Sequence, residues 1–276
     1  MSVTGPTVVR RQLGRRLRAL RQRSGMTEAE ITATKALSKA KLYRIEAGAV
    51  PVNITDVWAL CRIYGADEKT TDALATLAAG TTDKNWWEDY SDVMDAGIAL
   101  YIGLEETAQE IRTCEVILAP GLFQTADYTR AMIRGERPDW DEDAIDRSIT
   151  LRAERQRKVL GRSHLPRITA VLDAAALARQ VGGPEVMAAQ IQHMRQLASL
   201  DHIDIRVIPF EAGAHAFTSG AFTILEFADP DDPAVAHTDN RIGARYVEKP
   251  EQVDEFRAEF EAAKKQSVTL EECEAR

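Results

Sequence analysis

The sequence predicts a mainly α chain with an α+β second domain: a five-helix bundle over residues 1–80, then a helical domain with a small antiparallel sheet over residues 85–276. Three observations carry this. Apolar residues recur at helical spacing from Val9 to Leu77, between caps and glycine stops. Later, β-formers gather in the runs "HIDIRVIPF", "AFTILEF" and "ARYVE" between Gly, Pro and Asp turns, as three strands of a sheet would. The charge is also divided: residues 1–64 hold 12 Lys and Arg against 4 Asp and Glu, a net of +8, while the remaining 212 residues carry a net of −16.

In the first domain, Val9, Leu13, Leu17 and Leu20 form one stripe of a helix closed by Ser24-Gly25. Arg10, Arg11, Arg15, Arg16, Arg18, Arg21 and Arg23 occupy its other faces. Thr27 followed by Glu30 reads as a capping box opening a second short helix through about Thr34. After the turn Lys35 to Leu37, Ser38 is the next N-cap; Leu42 and Ile45 are the inward stripe of a third helix that stops before Gly48. Two short helices joined by a tight turn make a helix-turn-helix. Pro51 resets the chain; Val57, Leu60, Cys61 and Tyr64 mark a fourth helix, Leu74 and Leu77 a fifth.

The 276 residues, 45% hydrophobic and 28% charged, fit two ordinary globular domains. The longest apolar runs, such as Ala174 to Ala178, are far too short to span a bilayer, and no secretory leader is visible, so the expectation is a cytoplasmic protein. Cys61, Cys114 and Cys273, odd in number and widely spaced, argue against a disulfide framework or a metal cluster. A basic module joined to an acidic one suggests that the former faces a polyanion.

The run "LRALRQRSGMTEAEITATKALSKAKLYRIEAG", Leu17 to Gly48, resembles the helix-turn-helix of the XRE (Cro and repressor-like) regulators, most specifically in its "S-x-x-x-L-x-R-I-E-x-G" ending. In that family the start of the third helix reads base edges in the major groove. The resemblance implies Lys39, Ala40 and Tyr43 facing bases, with Ser38, Lys41 and Arg44 near phosphates. Lys suits guanine O6 and N7, and Ala leaves room for a thymine methyl. Arg15, Arg16 and Arg18 would add backbone contacts that salt weakens. Thr27 and Glu28, at the start of the second helix, join the candidate set; Glu28 stands where the family usually carries Gln, Lys35 where it carries Leu and Ala36 where it carries Gly. Glu46 is expected to pair locally, because phosphate repels a carboxylate. The competing reading of the Arg stripe is a solvated helix face, and Tyr43 alone could equally pack against Arg44 or the second helix.

Beyond residue 80, "NWWEDY" is expected to fasten the linker by packing, with ligand stacking as the alternative. Ala99 to Cys114 reads as one helix with Leu104, Ala108 and Ile111 inward. "VILAPGLFQTADYTRAMI" reads as a short strand, a Pro-Gly turn and a helix capped near Thr125. Residues 141–160 form a helix whose Arg152, Arg155, Arg157 and Lys158 either bind an anion or, the preferred reading, lie on a solvent-exposed face with local ion pairs. "RITAVLD" is strand-like, a helix follows the Gly-Gly-Pro break, and Gln252 to Lys265 closes the chain with Val253, Phe256, Phe260 and Ala263 on one side.

The segments "YIGLEETAQEIR", "APGLFQTADYTRAMI", "LRAERQRKVL" and "IRVIPFEAGAHAFTSGAFTILEF" resemble the C-terminal domain of WhiJ-like actinobacterial regulators, described as antitoxin-like. That resemblance implies a homodimeric regulator whose acidic domain meets a small partner protein or a signal, and it brings no catalytic residues. "VAHTDNRIGARYVE" departs from the family's strand at His237 to Arg241. The five histidines show no metal-ligand spacing, and no cofactor is expected. Glu211, His215, Thr218 and Ser219 share one loop, read as a hairpin connection rather than a nucleophilic site. The sequence thus predicts a non-enzymatic, sequence-specific transcriptional regulator on double-stranded DNA. The alternatives are an antitoxin-like protein that sequesters a small partner and a small-molecule sensor.

Overall fold

Helical periodicity decides the first unit. The computed structural model describes residues 6–79, 81, 86–94, 98–228, 232–240 and 243–274, and the chain divides into residues 1–89 and 90–276. Asn85, at the start of the "NWWEDY" run, and Arg241 lie outside the described residues. In the first unit, α1 (Pro6–Arg23), α2 (Glu28–Ala33), α3 (Lys39–Glu46), α4 (Ile54–Tyr64) and α5 (Glu68–Ala79) follow one another. Leu13, Leu17, Ile31, Leu42, Ile45, Val57, Leu60 and Cys61 are sealed in its core, each large aliphatic contributing about 2 kcal/mol by burial.

The expected caps are present. Thr27 and Glu30 form the capping box, and the Ser38 hydroxyl accepts from the Lys41 amide at 3.2 Å. At the end of α3, the Ala49 amide donates to the Arg44 carbonyl at 2.9 Å and Gly48 to Ile45 at 3.0 Å, with Gly48 at φ +67°. These two bonds define a Schellman stop. Gly48 is required for a second reason: a Cβ there would lie 2.7 Å from the Arg11 Cα. In the α2–α3 turn the left-handed residue is Lys35, at φ +60°, one position before Ala36.

In the second unit a seven-stranded sheet runs in the order β6-β5-β4-β1-β2-β3-β7. Its strands are β1 (Glu110–Glu115), β2 (Arg167–Asp173), β3 (Ile203–Ile208), β4 (Phe222–Glu226), β5 (Val235–Asn240), β6 (Gly243–Val247) and β7 (Val268–Thr269). β1, β2 and β3 pair in parallel; every other pairing is antiparallel. The α+β class stands, but the sheet is larger than the small antiparallel one expected, and its centre is parallel. Crossovers through helices, chiefly α7 (Ala126–Glu136), α8 (Glu142–Leu160) and α10 (Pro184–Ala198), make that centre. The remaining helices are α6 (Ile98–Glu105), α9 (Ala175–Ala178), α11 (Pro250–Gln266) and α12 (Leu270–Glu274). One apolar cluster includes Leu104, Ile111, Phe123, Ile168 and Val207; a second, on Cys114, Val171, Phe217 and Ile224, takes in Val253 and Phe260 of α11.

Three local readings are corrected. The helix expected over Ala99 to Cys114 ends at Glu105, and Ile111 and Cys114 belong to β1. Leu104, Ala108 and Ile111 are all buried as expected, but Leu104 lies in α6, Ala108 in the connection after it and Ile111 in β1. The strand expected at Val116 lies just upstream; residues 116–118 form a bend before Pro120. On α8, Arg152 and Arg155 turn inward instead of lying on a solvent-exposed face, and Arg155 pairs with Glu105, which is fully buried. The aromatic run forms a 3-10 turn, Trp86–Tyr90, in which Trp87 is buried and its ring stands edge-on to Trp86 at 5.6 Å.

Candidate nucleic-acid interface

α3 has two distinct faces because Leu42 and Ile45, three apart, both enter the core. That leaves Lys39, Ala40, Tyr43 and Arg44 on the outside, all exposed. Tyr43 is 67% exposed, which leaves its ring unburied by the second helix. Arg44 folds back only to donate to the Ala40 carbonyl at 3.3 Å. Lys41 differs from its neighbours: its ammonium lies 2.8 Å from Asp56 in the first turn of α4, so part of its charge is answered within the protein.

The inner side of α3 is held against α1 at very short range. A Cβ on Gly14 would come within 2.9 Å of the Glu46 carbonyl oxygen and closer still to that of Ile45. Beside this contact, Arg21 donates to both carboxylate oxygens of Glu46 at 2.7 Å, with both side chains largely buried. The hydrogen bonds to Glu46 hold the Arg21 guanidinium above its ordinary range against the opposing effect of burial; the charges of Glu46, Tyr64 and Glu28 add to the rise. Glu46 therefore pairs locally, as expected. Glu28 also lies in the field of Arg21, so its negative charge is partly offset. Thr27 is occupied by its capping box, accepting from the Glu30 amide and donating its own amide to the Glu30 carboxylate at 2.8 Å.

The arginines of α1 separate by role. Arg11 is buried against Gly48, Arg10 donates to the Thr81 carbonyl at 2.8 Å, and Arg21 holds Glu46. Arg15 is half-buried, while Arg16 and Arg18 are exposed. At 100° per residue, Arg18 sits roughly 40° around α1 from Gly14 and hence flanks α3, whereas Arg16 lies about 160° from Arg18. The two cannot serve one surface equally. Gly14 and Arg21 were missed in the sequence; a glycine inside a helical stripe, where propensity disfavours it, was the available signal.

Elsewhere, His215 Nε2 lies 2.8 Å from the Asp173 carboxylate, which supplies the orienting group that the loop reading lacked. Thr218 bonds back to the His215 backbone, and among the described residues no hydrogen bond joins Ser219 to the imidazole. Among the described residues no group of three or more His, Cys, Asp or Glu is placed to hold a metal, and no helix is long and apolar enough to cross a membrane.

Residues 12–74, from within α1 to within α5, match the helix-turn-helix domain family. Residues 98–275 match a domain of unknown function, DUF5753, over more than half of the chain. The chain belongs to the DUF5753 family. No curated protein and no solved structure matches it. The helix-turn-helix match supports a DNA-binding regulator; the DUF5753 unit arrives with no activity attached, and what it does must be read from its own residues.

Proposed function

We propose that this protein is a sequence-specific, non-enzymatic transcriptional regulator of the cytoplasm that lays α3 in the major groove of operator DNA and is controlled by its DUF5753 unit. One observation carries the reading: Lys39, Ala40, Tyr43 and Arg44 form an exposed face on a helix whose other side is fixed to α1 by Gly14 and the Arg21–Glu46 pair. Rigid backing is what base readout needs, because side chains can only be matched to base edges if the helix does not wander. Lys39 and Ala40 are assigned to bases, and Ser38, Arg44 and Arg18 to phosphates. The XRE-like and WhiJ-like character is part of the same proposal, as is a homodimer presenting two copies of α3 about 34 Å apart on a pseudo-palindromic operator.

Footprinting on genomic fragments selected by the purified protein tests the reading. Lys39→Ala relaxes base preference at one position of each half-site, with about 1–3 kcal/mol of discrimination lost. Arg18→Ala weakens all duplexes evenly and lowers the salt slope by about one, while Arg16→Ala, on the far side of α1, does so less. Indifference to every duplex at low ionic strength, or identical effects of Lys39→Ala and Arg18→Ala, overturns it.

A second reading has the acidic balance of residues 65–276, a net of −16, in its favour: a small basic partner protein would be attracted to that unit. Co-purification of such a protein from the native host, lost at high salt, is the corresponding test.

A further inference from the structure

The second unit contains a cavity of about 300 Å³ between the sheet and its helical cover. Its floor is one face of three neighbouring strands: Thr113 of β1 pairs with Thr223 of β4, and Thr223 with His237 of β5. Side chains alternate along a strand, so Glu115 and Asp239, two residues further on, lie on that same face, and both line the cavity. Carried one step past the Cys114–Phe222 pair, the register sets Ala221 between them, so only a methyl group stands at that level of the middle strand.

The lining is acidic. Among the described residues four carboxylates, Glu105, Glu115, Glu136 and Asp239, stand against two guanidiniums, Arg152 and Arg155. Arg155 is answered by Glu105, one of their two hydrogen bonds measuring 2.7 Å. Arg152 bonds to the side-chain oxygen of Gln124 and lies in the fields of Glu136 and Glu105. That leaves Glu115 and Asp239, which no ion pair joins to a cation among the described residues. The hydrogen bond that Glu115 accepts comes from the neutral Thr113 hydroxyl at 3.2 Å. Burial pushes the Glu115 carboxyl up to about 7, against that hydrogen bond and the charge of Arg155, as befits a carboxylate short of a cation. A second group on the same face is also unsatisfied: His237 is 7% exposed and its Nε2 has no hydrogen-bond partner. Desolvation favours the neutral imidazole, whose unprotonated nitrogen accepts a hydrogen bond.

Buried charges are paired, so the partner this set lacks is a cation. A metal ion does not fit, because among the described residues no group of three or more His, Cys, Asp or Glu is placed to hold one. We propose that the cavity binds a small organic amine, its ammonium seated between Glu115 and Asp239 beside His237 and its body against Ile98 and Leu118. An ammonium brings three donors to these two carboxylates and one imidazole nitrogen. On the helical side the two guanidiniums turn it toward the strands, while Ile98 and Leu118, apolar side chains only partly covered by the protein, offer a surface to the body. The volume limits the guest to about ten non-hydrogen atoms at the ~30 Å³ each that water occupies. Such a ligand acts as the effector only if the protein is the DNA-binding regulator proposed above; its binding does not depend on that reading.

Calorimetric titration of the full chain at about pH 8, where both Glu115 and an amine are charged, tests the site with phenethylamine, hexylamine, the uncharged 2-phenylethanol and phenylacetate. Either amine is expected to bind, with 2-phenylethanol and phenylacetate at least about tenfold weaker. Glu115→Gln, which keeps the shape and removes the charge, should weaken the amine by about ten- to a hundredfold. Asp239→Asn, at the exposed edge of the cavity, should weaken it severalfold and supplies the test if the first variant fails to fold. Absence of binding by both amines, binding of 2-phenylethanol or phenylacetate as tight as theirs, or unchanged binding in a folded variant overturns the proposal. Gel retardation on the same samples reports DNA binding separately, so the failure of either reading is told apart from failure of the other.

Discussion

Gly14→Ala reverses the sign that helix propensity alone would give. In a free helix, replacing Gly by Ala stabilises by about 1 kcal/mol. At position 14, however, the new methyl falls 2.9 Å from the Glu46 carbonyl oxygen, 3.1 Å from its carbon, and closer still to the Ile45 oxygen. Ordinary contact begins near 3.4 Å, so α1 and α3 must part by at least about 0.5 Å. All these atoms are backbone and cannot rotate aside, which places the cost at the upper end of overpacking, about 3 kcal/mol. Subtracting the propensity gain leaves a net loss of about 2 kcal/mol. Native-state hydrogen exchange at the Leu42 and Ile45 amides reads the effect where it occurs, as roughly a thirtyfold fall in protection. An unchanged or more protected α3 would refute the close approach and, with it, the rigid backing assigned to the recognition helix.

Two further perturbations follow from single residues. Lys35→Gly should stabilise the helix-turn-helix by about 1 kcal/mol, since Lys35 holds a left-handed backbone that costs a side-chain-bearing residue about that much; a loss of exchange protection in α3 would show that Lys35 contributes more than it strains. Burial pushes the Glu115 carboxyl up to about 7, with a hydrogen bond from Thr113 and the charge of Arg155 opposing the rise. Below about pH 4.5 the group is protonated in both folded and unfolded chains and contributes nothing; between about pH 4.5 and 7 the unfolded chain ionises while the folded one keeps its proton, so stability falls as pH rises and levels off above about 7. The full loss is on the order of 3 kcal/mol, and Glu115→Gln should abolish it. Thermal melts between about pH 5 and 8 that run parallel in the two proteins would contradict this.

The legible parts of the fold were those set by local chemistry. Thr27, Ser38 and Gly48 announce helix ends through bonds to their own neighbours, so the first unit could be read nearly residue by residue. Leu104, Ala108 and Ile111 misled because their spacing fits one helical face, while β1, paired on both sides, shows no simple alternation to contradict it. β5 was hidden by His237, Thr238, Asp239 and Asn240, a polar run without the alternation of a strand; its place is set by pairing with β4 and β6, whose side-chain patterns differ from its own. Arg152 and Arg155 fall in the same arc of α8 as buried Leu151 and Val159, and charges inside an apolar stripe were the signal for an internal pair. The partners of Arg155 and Arg152, Glu105 and Gln124, are distant in sequence and therefore invisible to local reasoning.

The division of labour within α3 bears on how such a protein changes over time. The contacts described above that keep the helix in place lie on its inner side, at its ends or in one flanking ion pair: Leu42, Ile45, Glu46, Ser38, Gly48 and Lys41 with Asp56. The outward quartet supports none of the core, and surface replacements of that kind usually shift stability by no more than about 0.5 kcal/mol. Lineages descending from this chain can consequently acquire new target sequences by rewriting those four letters, without first gathering compensating changes beneath them.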